Sequence, residues 1–480
     1  MLLWLVALYL ALSIALGLFA ATKVHNASDY ITAGRHLPLY VVFATVFATW
    51  FGAETVLGIS GTFLQEGLGG LVSDPFGASL CLILVGLFFA RPLYRMNLLT
   101  IGDYYRKRFN RPIEIVTSVC IALSYLGWVS AQVTALGLVF NVLSQGAVSQ
   151  VQGMVIGAGI VLVYTLFGGM WSVAVTTFVQ MIIIVLGLCY IAWYVSGLAG
   201  GVSAVVQHAA DHGKFAFWPG FSAPEILAFV AAWITLGFGS IPQQDVFQRV
   251  NSSRDENTAV RGTVLGGMAY FLFAMVPLFL AYAATLIDPK MVTELMGKDS
   301  QLILPSLIVN HLPLYAQIVF YGALLSVIMS TASGTLLAPS VTIAENVLRE
   351  MLGDLSDRQF LWMTRGVVVC FAFLVTGYSV LNDSSIQKMV ENAYKVTLVA
   401  AFIPLVCGLY WKRATTQGAA LAIVAGLGTW LGCEFVSPDA LLPPQLFGFI
   451  AAALGMLFGS LMPQRYGIDR HRRGPVGTTA

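Results

Sequence analysis

Long apolar runs alternate with short polar segments over almost the whole of this 480-residue chain. Each run has about 20 residues, the length that an α-helix needs to cross the hydrocarbon core of a bilayer. The pattern predicts an all-α integral membrane protein with about thirteen spans, at about 2–21, 39–62, 68–90, 112–142, 150–168, 172–198, 224–243, 263–287, 313–344, 361–382, 390–410, 416–434 and 443–462.

Composition agrees with this interpretation and narrows the possible partners. Hydrophobic residues make up 58% of the chain and charged residues only 10%, which excludes an ordinary soluble protein. The formal net charge of +2 gives no reason to expect a nucleic-acid partner. The predicted partners are the lipid bilayer and a small solute, and no covalent chemistry, hence no enzyme, is expected.

The positions of the basic residues predict the orientation of the chain. Cytoplasmic loops carry an excess of lysine and arginine. An outer N-terminus places 20 of the 25 basic residues on the inner side. We therefore expect a multi-pass protein of the plasma (cell inner) membrane with a cytoplasmic C-terminus. Residues 1–38 would form an extra span and the first cytoplasmic loop, and residues 464–480 a short cytoplasmic tail.

Two groups of five spans are related by their order. The first group covers 39–198 and the second 224–410, while 411–463 holds two further spans. Because five is odd, the second group enters the membrane with the opposite orientation, which is the arithmetic of an inverted repeat. Each group begins with an interrupted span, the first near Gly52 and the second at Gly237, Gly239 and Pro242. Such paired interruptions predict a substrate site between them.

The first interruption carries a carboxylate, Glu54, next to Thr55 at the expected depth of the bilayer. A charged group there is expensive and by default marks a functional site. The alternative is a polar contact between helices, with Gly52 and Gly58 permitting close packing.

Hydroxyl groups cluster in the ninth span. Ser330 and Thr331 follow Val327 by three and four residues, so their side chains share its face of a helix. They could simply bond back to carbonyls one turn earlier. If the unwound second span lay opposite, the carbonyls of Ala48 and Phe51 would complete a set of five neutral oxygens, which suits a monovalent cation better than a divalent one.

Five segments carry a resemblance to a known family over about residues 28–415: AGRHLP at 33–38, GDYYRKRF at 102–109, FGGMWSVAVTTFVQ at 167–180, IPQQDVFQR at 241–249 and MSTASGTLLAPS at 329–340. The chain resembles the sodium:solute symporters, which include proline, sugar, pantothenate and choline transporters. The resemblance implies a LeuT-type fold of five plus five inverted spans. It also implies Na⁺ as the coupling ion, held by the carbonyls and hydroxyls of Ala48, Phe51, Val327, Ser330 and Thr331.

The likeness is greatest to the choline-transporter branch, on DPFGASLCLILVGLFFARP at 74–92 and IPQQDVFQRVNSS at 241–253. That branch closes an aromatic cage on a quaternary ammonium group. Half of the cage is kept here and a carboxylate is added, which favours an amine or zwitterion over choline itself. The implied substrate-binding residues are Trp50, Glu54, Thr55, Ala78, Trp128, Gln132 and Gln243, with Ala78 and Gln243 replacing cage aromatics and Glu54 a small residue.

Three of these interpretations have alternatives. Trp50 and Trp128 could be ordinary packing residues, and Asp74 and Asp245, which lie near the expected cavity, could cap helix ends. Among functions, a sodium-coupled monocarboxylate transporter, an exchanger or channel, and a transporter-like sensor stay open beside the amine symporter. The patterns define no oligomeric state.

The sodium stoichiometry has its own signal in the segment 167–180. In the family this segment commonly ends in Thr-Asp-x-x-Gln, and in members that bind a second sodium ion the aspartate contributes to that second site. Here the aspartate position is Thr177, which keeps an oxygen but loses the negative charge. The expectation is one sodium ion per solute.

Overall fold

The computed structural model describes residues 2–382, 384–436 and 443–464, and regular structure in these ranges is helical apart from one bridge between Leu37 and Ser253. The long helices are Leu2–Ala21, Leu39–Trp50, Glu54–Arg95, Arg111–Leu143, Gln150–Leu198, Ala223–Gly239 with Gln244–Ser252, Glu256–Ile287, Leu314–Met351, Asp357–Leu381, Ile386–Tyr410, Thr416–Val436 and Pro444–Leu461. Short helices occupy the connections: Ala27–Thr32, Ile101–Arg108, Val202–Asp211, Pro289–Met296 and Ile303–His311. The predicted tail lies outside the described residues except for Gln464.

Within these ranges, ten helices are long and apolar enough to cross a membrane, or eleven when the bent pair Ala223–Gly239 and Gln244–Ser252 counts as one span. The number differs from thirteen because Glu54–Arg95 and Gln150–Leu198 each run through two predicted spans. The chain leaves the helical conformation inside both, at Gly67 with φ 71° and at Gly169 with φ 49°. Dividing the two helices at these glycines recovers thirteen segments, each close to its predicted range.

The second predicted span is broken where the sequence indicates. Its first helix ends at Trp50, because Phe51 adopts non-helical torsion angles (φ −82°, ψ 77°). The helix resumes at Glu54 with one wide π-helical turn, a feature common at functional sites. The break turns several carbonyl groups away from helical hydrogen bonding.

The seventh predicted span is also broken. Its first helix ends at Gly239 and its second begins at Gln244, and the two axes differ by 44°. A Cβ atom on Gly239 would lie 2.6 Å from the carbonyl oxygen of Tyr394, so glycine permits close contact with the helix Ile386–Tyr410. The two broken spans predicted from their glycines and proline are therefore both present.

Ion pairs join the connections that were predicted to be cytoplasmic. Glu256 pairs with Arg91 and Arg95, in each case at 2.7 Å. Glu350 pairs with Arg106 and, at 3.0 Å, with Arg111. These contacts bring together segments more than 100 residues apart in sequence, all from the side to which the basic residues were assigned.

Gly169 is a position where the backbone requires glycine. Its torsion angles (φ 49°, ψ −137°) are unfavourable for any residue with a Cβ atom, and that atom would lie 2.3 Å from the carbonyl oxygen of Tyr30.

We expect Gly169→Ala to destabilise the protein by at least about 1–3 kcal/mol from backbone strain alone. Thermal unfolding in detergent, followed by size-exclusion chromatography, measures the effect. Gly159→Ala is the matched control, since a Cβ atom there meets nothing within 4 Å. Equal melting temperatures for the two variants would contradict the assignment.

Candidate functional site

The break in the second span leaves the carbonyl group of Ala48 without its helical partner, because the amide of Gly52 donates to Trp50 instead. The hydroxyl of Ser330 lies 2.8 Å from the Ala48 carbonyl oxygen and 2.8 Å from that of Val327. The hydroxyl of Thr331 lies 3.3 Å from the Ala48 oxygen. Four of the five predicted sodium ligands therefore form one cluster.

Phe51 contributes differently from the other four. Phe51 follows the last helical residue, Trp50, and its carbonyl oxygen makes no hydrogen bond with another described residue. The contacts of Ser330 and Thr331 with Ala48 show that the second and ninth spans face each other, whereas the place of Phe51 in the ligand set stays a prediction. All five residues are buried. The cluster consists of neutral oxygens, which fits the ligand preference of a monovalent alkali cation.

Glu54 follows Phe51 by three residues, at the point where the helix resumes, and only 3% of its surface is exposed. One carboxylate oxygen accepts a hydrogen bond from the indole nitrogen of Trp128 at 3.1 Å, and the other accepts from the amide nitrogen of Gln132 at 2.6 Å. The side-chain oxygen of Gln132 in turn accepts from the backbone amide of Ala53 at 3.0 Å. Gln132 therefore holds both the carboxylate and the restarting helix.

No lysine, arginine or histidine of the described ranges forms an ion pair with Glu54. Neutral donors are a weak compensation for a charge buried in a protein interior. A cationic group of a ligand would supply the missing partner.

Three aromatic rings pack beside this carboxylate. The ring centroids are 5.4 Å apart for Trp50 and Trp128, 6.0 Å for Trp50 and Tyr394, and 5.5 Å for Trp128 and Tyr394. The indole nitrogen of Trp50 and the hydroxyl of Tyr394 are buried without a hydrogen-bond partner among the described residues. The three rings therefore provide π-faces together with two polar atoms that are free to contact a ligand.

Tyr394 was not predicted from the sequence. It lies on the helix Ile386–Thr397 in a stretch interrupted by Glu391 and Lys395. Those polar residues inside an apolar span were the available signal, but they do not indicate which side chain faces Trp50.

A second buried carboxylate, Asp74, is connected to Glu54 through neutral groups. The hydroxyl of Tyr270 donates to Asp74 and lies 3.1 Å from the hydroxyl of Thr55, the neighbour of Glu54 in sequence. Asp74 is 3% exposed and has extended torsion angles (φ −135°, ψ 124°). Thr55 therefore contacts Tyr270, a partner that the sequence did not predict, and its role in substrate binding stays a prediction.

Two predicted substrate residues make no hydrogen bond to Glu54 in the described part of the chain. Ala78 is buried at the start of the helix Ala78–Leu84 and offers only a methyl group. Gln243 binds the hydroxyls of Ser124, at 2.9 Å, and Thr397, at 3.3 Å. Gln243 thus holds the break of the seventh span against neighbouring helices, and these two roles stay predictions carried by resemblance.

A buried polar layer lies next to that break. The carboxylate of Asp245 accepts a hydrogen bond from the hydroxyl of Tyr125, whose ring stacks on Trp128 at 5.9 Å. Arg249 is fully buried and donates to the carbonyl of Asp245 and to the hydroxyl of Thr49, each at 2.8 Å. This layer connects the two broken spans, because Thr49 belongs to the second and Arg249 to the seventh.

Comparison with known proteins identifies the family of this chain. Residues 30–426 match the model of the sodium:solute symporter family. The chain is 28% identical to the human high affinity choline transporter 1, covering 92% of this chain and 78% of that protein. It is 26% identical to the high-affinity proline transporter PutP of Bacillus subtilis, covering 94% and 95%.

A solved structure of similar fold is the substrate-bound outward-open state of a Na⁺-coupled sialic acid symporter. It superposes with a TM-score of 0.81 at 18% identity, over 96% of this chain and 98% of that one. The architecture is therefore the LeuT-type fold with its inverted repeats, as predicted.

Proposed function

We propose that this chain, which belongs to the sodium:solute symporter family and therefore moves a small solute together with sodium, takes an organic amine or zwitterion as that solute. The observation that carries the proposal is Glu54, a buried carboxylate with neutral donors on both oxygens and no cationic partner in the described ranges. A choline transporter and a proline transporter among the relatives support a substrate with a positive nitrogen.

The rings of Trp50, Trp128 and Tyr394, called the ring cluster below, would supply the second part of substrate recognition. A cation held over a tryptophan or tyrosine face contributes about 2 kcal/mol or more when the contact is desolvated. Trp50, Trp128 and Tyr394 lie within ring contact of one another beside Glu54. Since the rings now pack against each other, binding would require them to separate around the ammonium group, while the Glu54 carboxylate neutralises its charge.

The sodium ion would be held by the carbonyl oxygens of Ala48, Phe51 and Val327 and the hydroxyls of Ser330 and Thr331. The geometry of these residues supports the fit of a sodium ion. The hydroxyls of Ser330 and Thr331 both contact the Ala48 carbonyl oxygen, and none of the five residues carries a charged side chain. When bound, sodium supplies a positive charge that fixes the broken second span to the ninth. Trp50 and Glu54 lie on that same broken span, so its position also sets the geometry of the substrate pocket.

The driving force is sufficient for concentrative uptake. One elementary charge moving down 100 mV contributes about 2.3 kcal/mol, and a tenfold sodium gradient adds about 1.4 kcal/mol. Together they support roughly 500-fold accumulation of a neutral or zwitterionic solute at one-to-one coupling. A substrate that carries one positive charge is itself drawn inward by the membrane potential, which raises the limit of its accumulation to about 10⁴-fold.

The proposed orientation has the N-terminus outside and the C-terminus in the cytoplasm of the cell, in its plasma membrane. The ion-pair groups of Glu256 and Glu350 would then lie on the cytoplasmic side. Transport would proceed by alternating access between the two sides.

A thermal-shift screen with purified protein tests the substrate class. Amines, amino acids and monocarboxylates would each be added in sodium and in potassium buffer. A ligand at 100 times its Kd stabilises the folded state by about 2.7 kcal/mol. We expect amines or zwitterions to raise the melting temperature only with sodium. Stabilisation by monocarboxylates alone would exclude the amine proposal and favour a monocarboxylate transporter.

We expect one sodium ion per solute. The hydroxyl of Thr177 and the amide of Gln180 are buried without hydrogen-bond partners among the described residues, and Thr177 brings no negative charge. A second cation near the first would meet uncompensated repulsion there. Reversal-potential measurements on proteoliposomes should give a coupling ratio of one, and Thr177→Asp should shift the ratio towards two. A ratio of two in the unmodified protein would overturn this expectation, and Glu54 would then be the candidate source of the compensating charge.

A further inference from the structure

A cavity of about 730 Å³ lies on the side of the protein that is assigned to the exterior. Its wall comes from the end of the second span, the start of the third, the segment before the seventh span and that span's first turns, residues 300–301, and the start of the eleventh span. The volume falls in the range of small-molecule binding sites. The cavity is separate from the Glu54 cluster, since none of Trp50, Glu54, Trp128 or Tyr394 lines it.

A chain of hydrogen bonds joins four of the residues that line the cavity. The hydroxyl of Thr62 donates to the side-chain oxygen of Gln387, and the amide nitrogen of Gln387 donates to Glu391 at 3.0 Å. The hydroxyl of Ser73 also donates to Glu391. We call these four residues the floor. Asp74, which is linked through Tyr270 to the central site, follows Ser73 directly in sequence.

The lining is predominantly acidic. Glu66 and Glu225 are exposed and Glu391 is half-buried, whereas Lys388 is the one basic residue that lines the cavity within the described ranges. The nearby ammonium group of Lys214 is bound by the backbone carbonyls of Leu64 and Gln65, at 2.6 and 3.2 Å. Carboxylates that line a cleft with low-dielectric walls raise the local concentration of cations.

Aromatic rings line the same cavity as the carboxylates. The ring of Phe217 is 5.3 Å from that of Trp218 and 5.4 Å from that of Phe229, and Trp218 and Phe229 are 5.8 Å apart. Trp218 is 74% exposed. Aromatic residues at this depth often only anchor a protein at the membrane interface. Here they share one cavity with three carboxylates, and this combination provides π-faces and negative charge for an organic cation.

We propose that this cavity is an outer reception site that binds a cationic organic amine before the floor opens to the central site. The proposal rests on the proposed function for its ligand class. The outer site has its own charged and aromatic groups, all different from those of the central site, so each site can be disabled separately. Its carboxylates are more exposed than Glu54, which indicates weaker binding than at the central site.

The test uses tetramethylammonium as the probe and full-length protein in nanodiscs. Trp50→Ala with Glu54→Gln disables the central site, and saturation-transfer NMR then reports the binding that is left. We expect residual binding that weakens at least about 10-fold when Trp218→Ala and Glu391→Gln are added. Lys388→Gln should instead strengthen it about two- to threefold. Glu294→Gln is the control, because Glu294 is an exposed carboxylate paired with Lys298 away from the cavity.

Absence of residual binding, or binding that ignores Trp218 and Glu391, would overturn the outer site. A second measurement does not depend on the central-site variants. Glu66→Gln with Glu225→Gln should lower the association rate of the substrate several-fold at low salt and leave its dissociation rate unchanged, because steering charges act on encounter. An unchanged association rate would also contradict the proposal. The proposed function fails by a different result, namely sodium-driven uptake that is insensitive to Glu54→Gln.

Discussion

Replacement of Glu54 by glutamine is expected to weaken the binding of a cationic substrate by about 10- to 100-fold. The change removes the one negative charge of the ring cluster, and hydrogen bonds to charged groups contribute about 1.5–3 kcal/mol. Glutamine also replaces one of the two carboxylate oxygens by an NH₂ donor, so the donor that faces it, Trp128 or Gln132, loses its acceptor. Isothermal titration or scintillation-proximity binding in saturating sodium measures the loss.

Further variants and a neutral ligand test whether this loss of binding comes from the charge. Glu54→Asp keeps the charge on a shorter side chain and should bind more tightly than Glu54→Gln. Trp50→Ala should cost a factor of about 30 through the lost cation–π contact, and Trp50→Phe should recover part of it. A neutral isostere of the substrate should be nearly insensitive to Glu54→Gln. Equal losses for the cation and its neutral isostere would show that Glu54 does not recognise charge.

Ser330→Ala and Thr331→Ala are expected to raise the sodium concentration for half-maximal transport by about 10-fold or more each. Each change removes one oxygen from the cluster around the Ala48 carbonyl and leaves little void. Substrate affinity at saturating sodium should change much less. Sodium titrations of uptake, together with surface or liposome expression, separate the two effects.

Ser340→Ala is the matched control for this pair. Ser340 is also buried on the same helix, and its hydroxyl donates to the Leu336 carbonyl at 2.8 Å, ten residues beyond Ser330. Its loss should leave the sodium dependence unchanged. If Ser330→Ala and Thr331→Ala behave like Ser340→Ala, the hydroxyls only bond back to their own helix and the sodium site lies elsewhere.

Most of the fold could be predicted because its signals are local. Runs of apolar residues define the spans, and the glycines near position 52 and between Leu236 and Pro242 mark the two breaks that the structure contains. The difference in the number of helices arises at Gly67 and Gly169, where two spans join without an intervening loop. A turn made by a single glycine leaves almost no polar segment in the sequence.

The central site could be predicted only in part, because its partners come from distant segments. Glu54 was identifiable from its cost in the bilayer, but its contact with Gln132 joins positions 78 residues apart and was not predicted. Tyr394 and Tyr270 could not be assigned, since their roles depend on which helix faces which. Gln243 occupies a position transferred from the family's cage, and its role in substrate binding stays a prediction, while its side chain binds Ser124 and Thr397 in this structure.

Uptake into proteoliposomes tests the central claim most directly. Purified protein would be reconstituted, and a radiolabelled amine that stabilises it in the thermal-shift screen would be offered with an inward sodium gradient, with equal sodium on both sides, and with potassium in place of sodium. The account predicts concentrative uptake only with the sodium gradient, and its loss in Glu54→Gln at the same protein density. Accumulation without sodium, or accumulation that Glu54→Gln leaves intact, would contradict it.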